Sequence, residues 1–235
     1  MTAVLKADEL TLGYRGIAAV HQLNLSVQRG EVVAIVGANG AGKTTSLLGL
    51  AGAIPAIAGN VQFDGVDQRA GLTSNARRGM ALLTDDRSIF RELTTWQNLR
   101  LGRGDPEEAI AAFPALDAIR HRKAGLLSGG EQQMLGLARV IAARPKLLLA
   151  DELSLGLAPI VMGPLFAALR RLADDEGSAV VLVEQHIHLA LSVADSVLVL
   201  QRGATADRGP ADQFRSDHER IARAYLSAPP EAARP

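Results

Sequence analysis

The chain has 235 residues, 48% of them apolar and 21% charged, and its 25 basic and 25 acidic residues cancel to a formal charge of zero. That length suits one large domain, or a core with a smaller subdomain attached, and the neutral balance gives no footing for a nucleic-acid partner held by phosphate electrostatics. The absence of cysteine excludes disulfides and thiolate metal sites. The opening MTAVLKADEL lacks the apolar core of a signal peptide. The richest apolar window, 146–166, contains Lys146, Asp151 and Glu152, which argues against a membrane span.

Two β-like runs come first, LKADELTLGY (5–14) and AAVHQLNLSV (18–27), with Gly13 and Gly16 at the turn between them. EVVAIVG (31–37) is a continuous apolar run ending in glycine, the pattern of a buried parallel strand. It leads into GANGAGKTT (37–45), where Gly37, Gly42, Lys43 and Thr44 fit G-x(4)-G-K-[ST] between an expected strand and an expected helix over 43–53. In such a loop the glycines, Gly40 among them and Asn39 beside it, let backbone N–H groups close around phosphates. Lys43 reaches the β- and γ-phosphates, and the Thr44 hydroxyl is a ligand for Mg²⁺.

GNVQFDG (59–65) reads as an edge strand between turn residues. From about 84 to 142 the spacing is helical, and GEQQMLGLARVIAA places Met134, Leu135, Leu137, Ala138 and Ile141 along one face before Pro145. That helix opens with LSGGEQQ (127–133), a second glycine-rich helix start with no lysine of its own. Its unpaired N–H groups suit an anion. Ser128 as N-cap and Glu131 in the first turn also make it an ordinary capped helix, and the two readings are compatible.

KLLLADE (146–152) follows. An apolar strand with Asp151 at its tip can set a carboxylate beside the phosphate loop for Mg²⁺, with Glu152 turned toward an attacking water; the plain alternative is a strand ending in solvated acids. SAVVLVEQ (178–185) and SVLVL (196–200) are further strands, with helices near 161–174 and 186–194. Strands alternating with helices imply a mostly parallel sheet. The tail, 228–235, has the composition of a frayed end.

Phosphate loop, LSGGEQQ and acidic strand, in this order and over nearly the whole chain, resemble the nucleotide-binding subunit of ABC transporters. LSGGEQQMLGLARVIAARPKLLLADELSLGLAPI is similar to the shorter ATPase of branched-chain amino acid importers, which implies an ATP-hydrolysing subunit that energises such import. The alternatives are an importer of another small polar solute such as urea or amides, or a nucleotide-gated regulatory or soluble ABC module not engaged in transport. The resemblance implies an α/β P-loop NTPase: an ABC-type core with an N-terminal antiparallel β-subdomain and a helical subdomain, about 84–142, inserted in a single domain over 1–227. It implies ATP and Mg²⁺ as ligands and a second ATPase subunit, identical or a sister, packed head to tail. Ser128, Gly129 and Gly130 of one subunit would then serve the γ-phosphate held by Lys43 of the other.

It further implies that Tyr14 stacks on adenine, although a tyrosine after a strand is also a packing residue, and that Thr45 meets the α-phosphate. Two integral membrane permease subunits and, indirectly, a periplasmic or extracellular solute-binding protein are the remaining partners. They would hold the chain at the cytoplasmic face of the membrane, with a short permease helix received beside Asp85, Ile89, Phe90 and Leu93. Three positions depart from the family pattern. Asp85 stands for a glutamine and can still touch Mg²⁺ through water. Gln185 stands for a switch histidine and can bond a γ-phosphate oxygen without carrying charge. Leu153 stands for a proline, a change expected to affect local stiffness alone. His186, next along, is either a displaced switch or an ordinary helix-start residue.

Overall fold

The computed structural model describes residues 3–67, 71–217, 219–221 and 223; the tail at 228–235 lies outside them. The chain starts with a hairpin, β1 (Leu5–Tyr14) and β2 (Ile17–Val27). Arg15 and Gly16 turn it at φ 53° and 81°, the positive pair that a two-residue type I′ connection needs. Gly13 is fixed by contact, since a Cβ there would stand 1.9 Å from the Ile17 carbonyl oxygen. With β4 (Ala56–Phe63) and β5 (Val66–Asp67) the hairpin makes an antiparallel sheet in the order β2-β1-β4-β5. The segment read as an edge strand is therefore interior, because the two residues of β5 cover its outer side.

The second sheet has six strands, β10-β9-β3-β8-β7-β6, parallel except for β10. They are β3 (Val32–Val36), β6 (Met80–Leu83), β7 (Leu147–Asp151), β8 (Ala179–Glu184), β9 (Ser196–Gln201) and β10 (Ala204–Pro210). Every residue of β3, β7 and β8 is buried, as expected of parallel strands covered on both faces. The two-residue period divides them between two cores. Val32, Ala34, Val36, Leu148 and Ala150 face the helical side, while Val33, Ile35, Leu147 and Leu149 face the antiparallel sheet.

Between β6 and β7 the chain is helical: α3 (Thr95–Arg100), α4 (Pro106–Ala112) and α5 (Gly129–Ala142), after α1 (Lys43–Ala51) and α2 (Gly71–Arg77). α6 (Pro159–Glu176), α7 (Ile187–Val193) and α8 (Ala211–Ser216) follow β7, β8 and β10. α5 packs against α3, α4, α6 and β6, whereas α1 packs against β1, β2, β7, β8 and α2. The buried face of α5 differs from the expected one: Leu135, Leu137 and Ala138 are buried, Met134 and Ile141 only partly, and Gln132, Gln133 and Gly136 join the interior. Leu153, expected to affect stiffness alone, has no exposed surface and belongs to the helical-side core, a contribution of about 1.5–3 kcal/mol. No described helix is long and apolar enough to cross a membrane.

Candidate functional site

The carboxyl ends of β3, β8, β7 and β6 lie side by side, and each runs into a residue singled out in the sequence. β3 runs into the loop 37–42, β8 into Gln185, β7 into Asp151 and Glu152, and β6 into Asp85. A crevice outside the carboxyl ends of parallel strands is where open α/β sheets bind ligands.

The loop is shaped by contacts that leave no room for side chains. A Cβ on Gly37 would sit 2.3 Å from the Leu200 carbonyl oxygen, and one on Gly42 2.9 Å from Val20. Gly40 and Gly42 adopt φ 77° and 100°. Its inner side is tied down by Ala41 N–H to the Ala38 carbonyl (3.1 Å) and Gly203 N–H to the Ala41 carbonyl (2.9 Å). Asn39, Gly40 and Thr44 remain exposed.

α1 starts at Gly42 with no side-chain cap and no acid in its first turn, unlike α3, α4 and α5, which are capped by Thr94, Asp105 and Ser128. Its first N–H groups, on Lys43, Thr44 and Thr45, therefore point out of the helix without a capping oxygen, beside a lysine. An uncapped terminus of this kind favours an anion through both the free donors and the helix dipole.

Lys43 is buried. Its Nζ donates to the carbonyls of Gly37 (3.0 Å) and Ala38 (3.3 Å) and lies 3.5 Å from Glu152 Oε1. Thr44 donates its hydroxyl to Asp151. Glu152 takes φ 44°, with its N–H on the Val183 carbonyl at 2.9 Å. The fold thus brings Lys43, Thr44, Asp151 and Glu152 together from positions more than a hundred residues apart. Asp85 is exposed and near enough to Asp151 to act on its charge. Gln185 is exposed beyond Glu184, which pairs with Val36 in the register just before Gly37. Tyr14 ends β1 half-exposed at the hairpin tip.

Asp151 is 2% exposed, and burial pushes its carboxyl up to about 6, with the Glu152 and Asp85 charges adding to the effect and the Thr44 hydroxyl and Lys43 opposing it. Its Oδ1 has no partner among the described residues. A buried orphan acceptor beside a threonine hydroxyl fits a divalent cation. No described group of three or more His, Cys, Asp or Glu stands in metal-holding geometry, so the remaining ligands would be water and phosphate oxygens, as suits Mg²⁺.

A stability consequence follows. Unfolded, Asp151 gives up its proton near 3.8, but in the fold it keeps it to about 6. Over that window the folded state binds more protons, so stability falls as pH rises, by up to about 3 kcal/mol once both states are ionised. Asp151→Asn is expected to remove this slope. Urea midpoints of the two proteins in chelator, from about pH 4 to pH 7, would check it; parallel profiles would mean that Asp151 ionises normally.

LSGGEQQ stands apart from the loop. Ser128 caps α5: its Oγ accepts from Glu131 N–H (3.3 Å), while Glu131 Oε2 accepts from Ser128 N–H (2.7 Å), a capping box. Gly130 is buried, and a Cβ there would come within 2.8 Å of Val161. Among the described residues no hydrogen bond or ion pair joins Ser128, Gly129 or Gly130 to the loop 37–45. His186 is the N-cap residue of α7 and makes no side-chain cap bond.

Two residues that the sequence reading passed over build this region. Arg87 donates Nε to Gln133 (3.0 Å) and Nη1 to Gln132 (2.8 Å), which explains why two glutamines of LSGGEQQ are buried. Asn98, fully buried, donates to the carbonyls of Phe90, Leu93 and Thr94 and accepts from Phe90 N–H, so it shapes the turn after Asp85. Neither carries a motif. The only signal was a cation and an amide within a run otherwise read as helical.

Residues 20–154 match the family described as ABC transporter. The chain is 38% identical to the high-affinity branched-chain amino acid transport ATP-binding protein BraG of Pseudomonas aeruginosa, over 85% of this chain and 90% of that one. It is 31% identical to the lipopolysaccharide export system ATP-binding protein LptB of Escherichia coli, over 95% and 97%. Among solved structures, the ADP conformation of MJ1267, an ATP-binding cassette of an ABC transporter, superimposes with a TM-score of 0.83 at 22% identity, over 97% of this chain and 100% of that one.

Proposed function

We propose a function from one premise: the chain belongs to the ABC transporter family, as an ATP-hydrolysing subunit, and its finer role is to drive import of branched-chain or related amino acids. The observation that carries the ATP chemistry is the uncapped start of α1 with Lys43, facing Glu152 and Asp151 across the strand ends. In this reading, N–H groups of 37–45 receive the phosphates, Thr45 meets the α-phosphate and Tyr14 covers the adenine. Lys43 exchanges Glu152 for a phosphate oxygen. Glu152, so released, orients a water for in-line attack on the γ-phosphate. Thr44 and Asp151, with Asp85 through water, are the residues that would hold Mg²⁺, which when bound neutralises phosphate charge. Gln185 supplies a neutral donor to a γ-phosphate oxygen.

Among the described residues, Ser128, Gly129 and Gly130 make no bond to this chain's own loop, which supports their use by a second cassette, identical or a sister, with closure and reopening driving two permease subunits. A permease helix would dock at Phe90, half-exposed beneath the Arg139 guanidinium, with Asp85, Ile89 and Leu93 beside it. The groove of about 300 Å³ walled by Leu83, Leu101, Arg103 and Arg139 lies on the other side of Arg139, and Phe90, Asp85, Ile89 and Leu93 do not line it. That docking would hold the chain at the cytoplasmic face of the membrane, with a solute-binding protein delivering cargo on the far side.

Similarity to BraG supports amino acid import; another small polar solute, such as urea or an amide, is the alternative cargo for the same kind of subunit. Similarity to LptB supports a second reading, an export cassette. Deleting the chain from its host is expected to abolish uptake of labelled leucine, with recovery by the unmodified chain and not by Glu152→Gln. Loss of urea or acetamide uptake instead would reassign the cargo. Unchanged uptake of all three, with a cell-envelope defect, would favour export.

A further inference from the structure

Glu184 ends β8 with no exposed surface, a costly place for a carboxyl group unless donors meet it. Three do. Ser154 donates its N–H to Oε1 at 3.0 Å and its hydroxyl to Oε2 at 2.8 Å, and the N–H of His186 reaches the same group. Burial raises its pKa while these donors pull it back. The donors come from two loops, and each loop carries a residue of the candidate site. Glu152 lies two residues before Ser154, and Gln185 lies between Glu184 and His186.

The need for such a clasp is visible at Glu152. Its φ of 44° is a left-handed conformation that side-chain-bearing residues rarely adopt, and strain of this kind persists only where the surroundings over-determine it. Val183 fixes one side by accepting the Glu152 N–H at 2.9 Å. Leu153, anchored in the core, and Ser154, held by Glu184, fix the other. Among the described residues, no other side-chain hydrogen bond ties the turn between Glu152 and the exposed run from Leu155 onward.

We propose that Glu184 is a positioning residue for hydrolysis: its carboxyl clasps Ser154 and the start of α7, and so aims Glu152 and Gln185 at the γ-phosphate. This rests on the ATPase reading above and assigns Glu184 no contact with nucleotide. Length and volume alone would not serve. Glu184→Met fills the space without accepting a bond, whereas Glu184→Gln keeps the clasp, its oxygen accepting from Ser154 N–H and its NH₂ donating to Ser154 Oγ.

The test compares phosphate release, fluorescent-nucleotide affinity and melting temperature for the whole chain and its variants. Glu184→Met is expected to lower kcat by about 10²-fold with nucleotide affinity unchanged, the effect of mis-aiming a catalytic group. Glu184→Gln should recover most of that loss. Ser154→Ala should lower kcat in the same direction, and adding Glu184→Met to it should cost little more, because both break one clasp. Equal kcat for the Met and Gln variants, or affinity falling in step with kcat, would overturn the proposal. If Glu184→Met does not fold, Ser154→Ala decides, and an unchanged kcat there overturns it. An unmodified chain that binds no nucleotide would remove the ATPase reading itself, and this inference with it.

Discussion

Glu152→Gln is expected to lower steady-state phosphate release by about 10²–10⁴-fold, the range that general-base catalysis supplies, without weakening ATP binding. Glutamine copies the shape of the side chain but cannot take a proton from water. The residues that would hold the nucleotide, the N–H groups of the loop, Lys43, Thr44 and Asp151, are untouched. The sign of the binding change is informative. Lys43 stands 3.5 Å from Glu152 Oε1, with both side chains largely out of solvent, and this pair must open for Lys43 to reach a phosphate. Removing the carboxylate removes that competition, so affinity should hold or tighten. If the second cassette is a copy of this chain, Mg-ATP should double the solution mass of the variant, and adding Ser128→Arg should abolish the doubling. Turnover close to that of the unmodified chain would show that Glu152 is not the base.

The second large effect is expected at Lys43. Lys43→Met keeps most of the buried volume but removes the cation, and the loop's shape survives because it is held by Ala41, Gly203 and the Ser46 N–H bond to the Gly42 carbonyl at 2.8 Å. Losing a hydrogen bond to a charged phosphate should weaken nucleotide binding by about 10–10²-fold, and losing its stabilisation of the transferring group should lower kcat by about 10²–10³-fold. Fluorescent-nucleotide titration and phosphate release separate this variant from Glu152→Gln: one loses both properties, the other only turnover. Retained affinity in Lys43→Met would mean that the uncapped start of α1 suffices alone and that the lysine serves Glu152.

The elements that read most directly from the sequence are those whose chemistry and burial coincide. β3 is an unbroken apolar run of five and β7 one of four closed by Asp151, because both faces are covered, and each leads into the residues that define the candidate site. β6 was missed. Its residues, Met80–Leu83, favour helix, and only pairing with Leu147–Ala150 makes them a strand. β10 is hidden for the opposite reason, being a polar edge strand with no alternation to detect. The expected face of α5 shares Leu135, Leu137 and Ala138 with the buried one but leaves out Gln132 and Gln133, which are buried by an arginine more than forty positions earlier, a partner that no local spacing shows. Leu153 reads as a loop substitution in sequence and as a core anchor in space.

The cap on α5 has a consequence for which sequences the position tolerates. Ser128 Oγ uses its acceptor side to receive Glu131 N–H, and a hydroxyl keeps its own hydrogen to give elsewhere. Folding alone would accept serine, threonine, aspartate or asparagine there almost equally. A partner's phosphate would not accept aspartate, whose negative charge caps the helix well and repels the ligand. Variation among natural relatives therefore carries a readable imprint: a position that admits every good cap is only a cap, and one that admits serine yet never aspartate has been kept for an anion that lies outside its own chain.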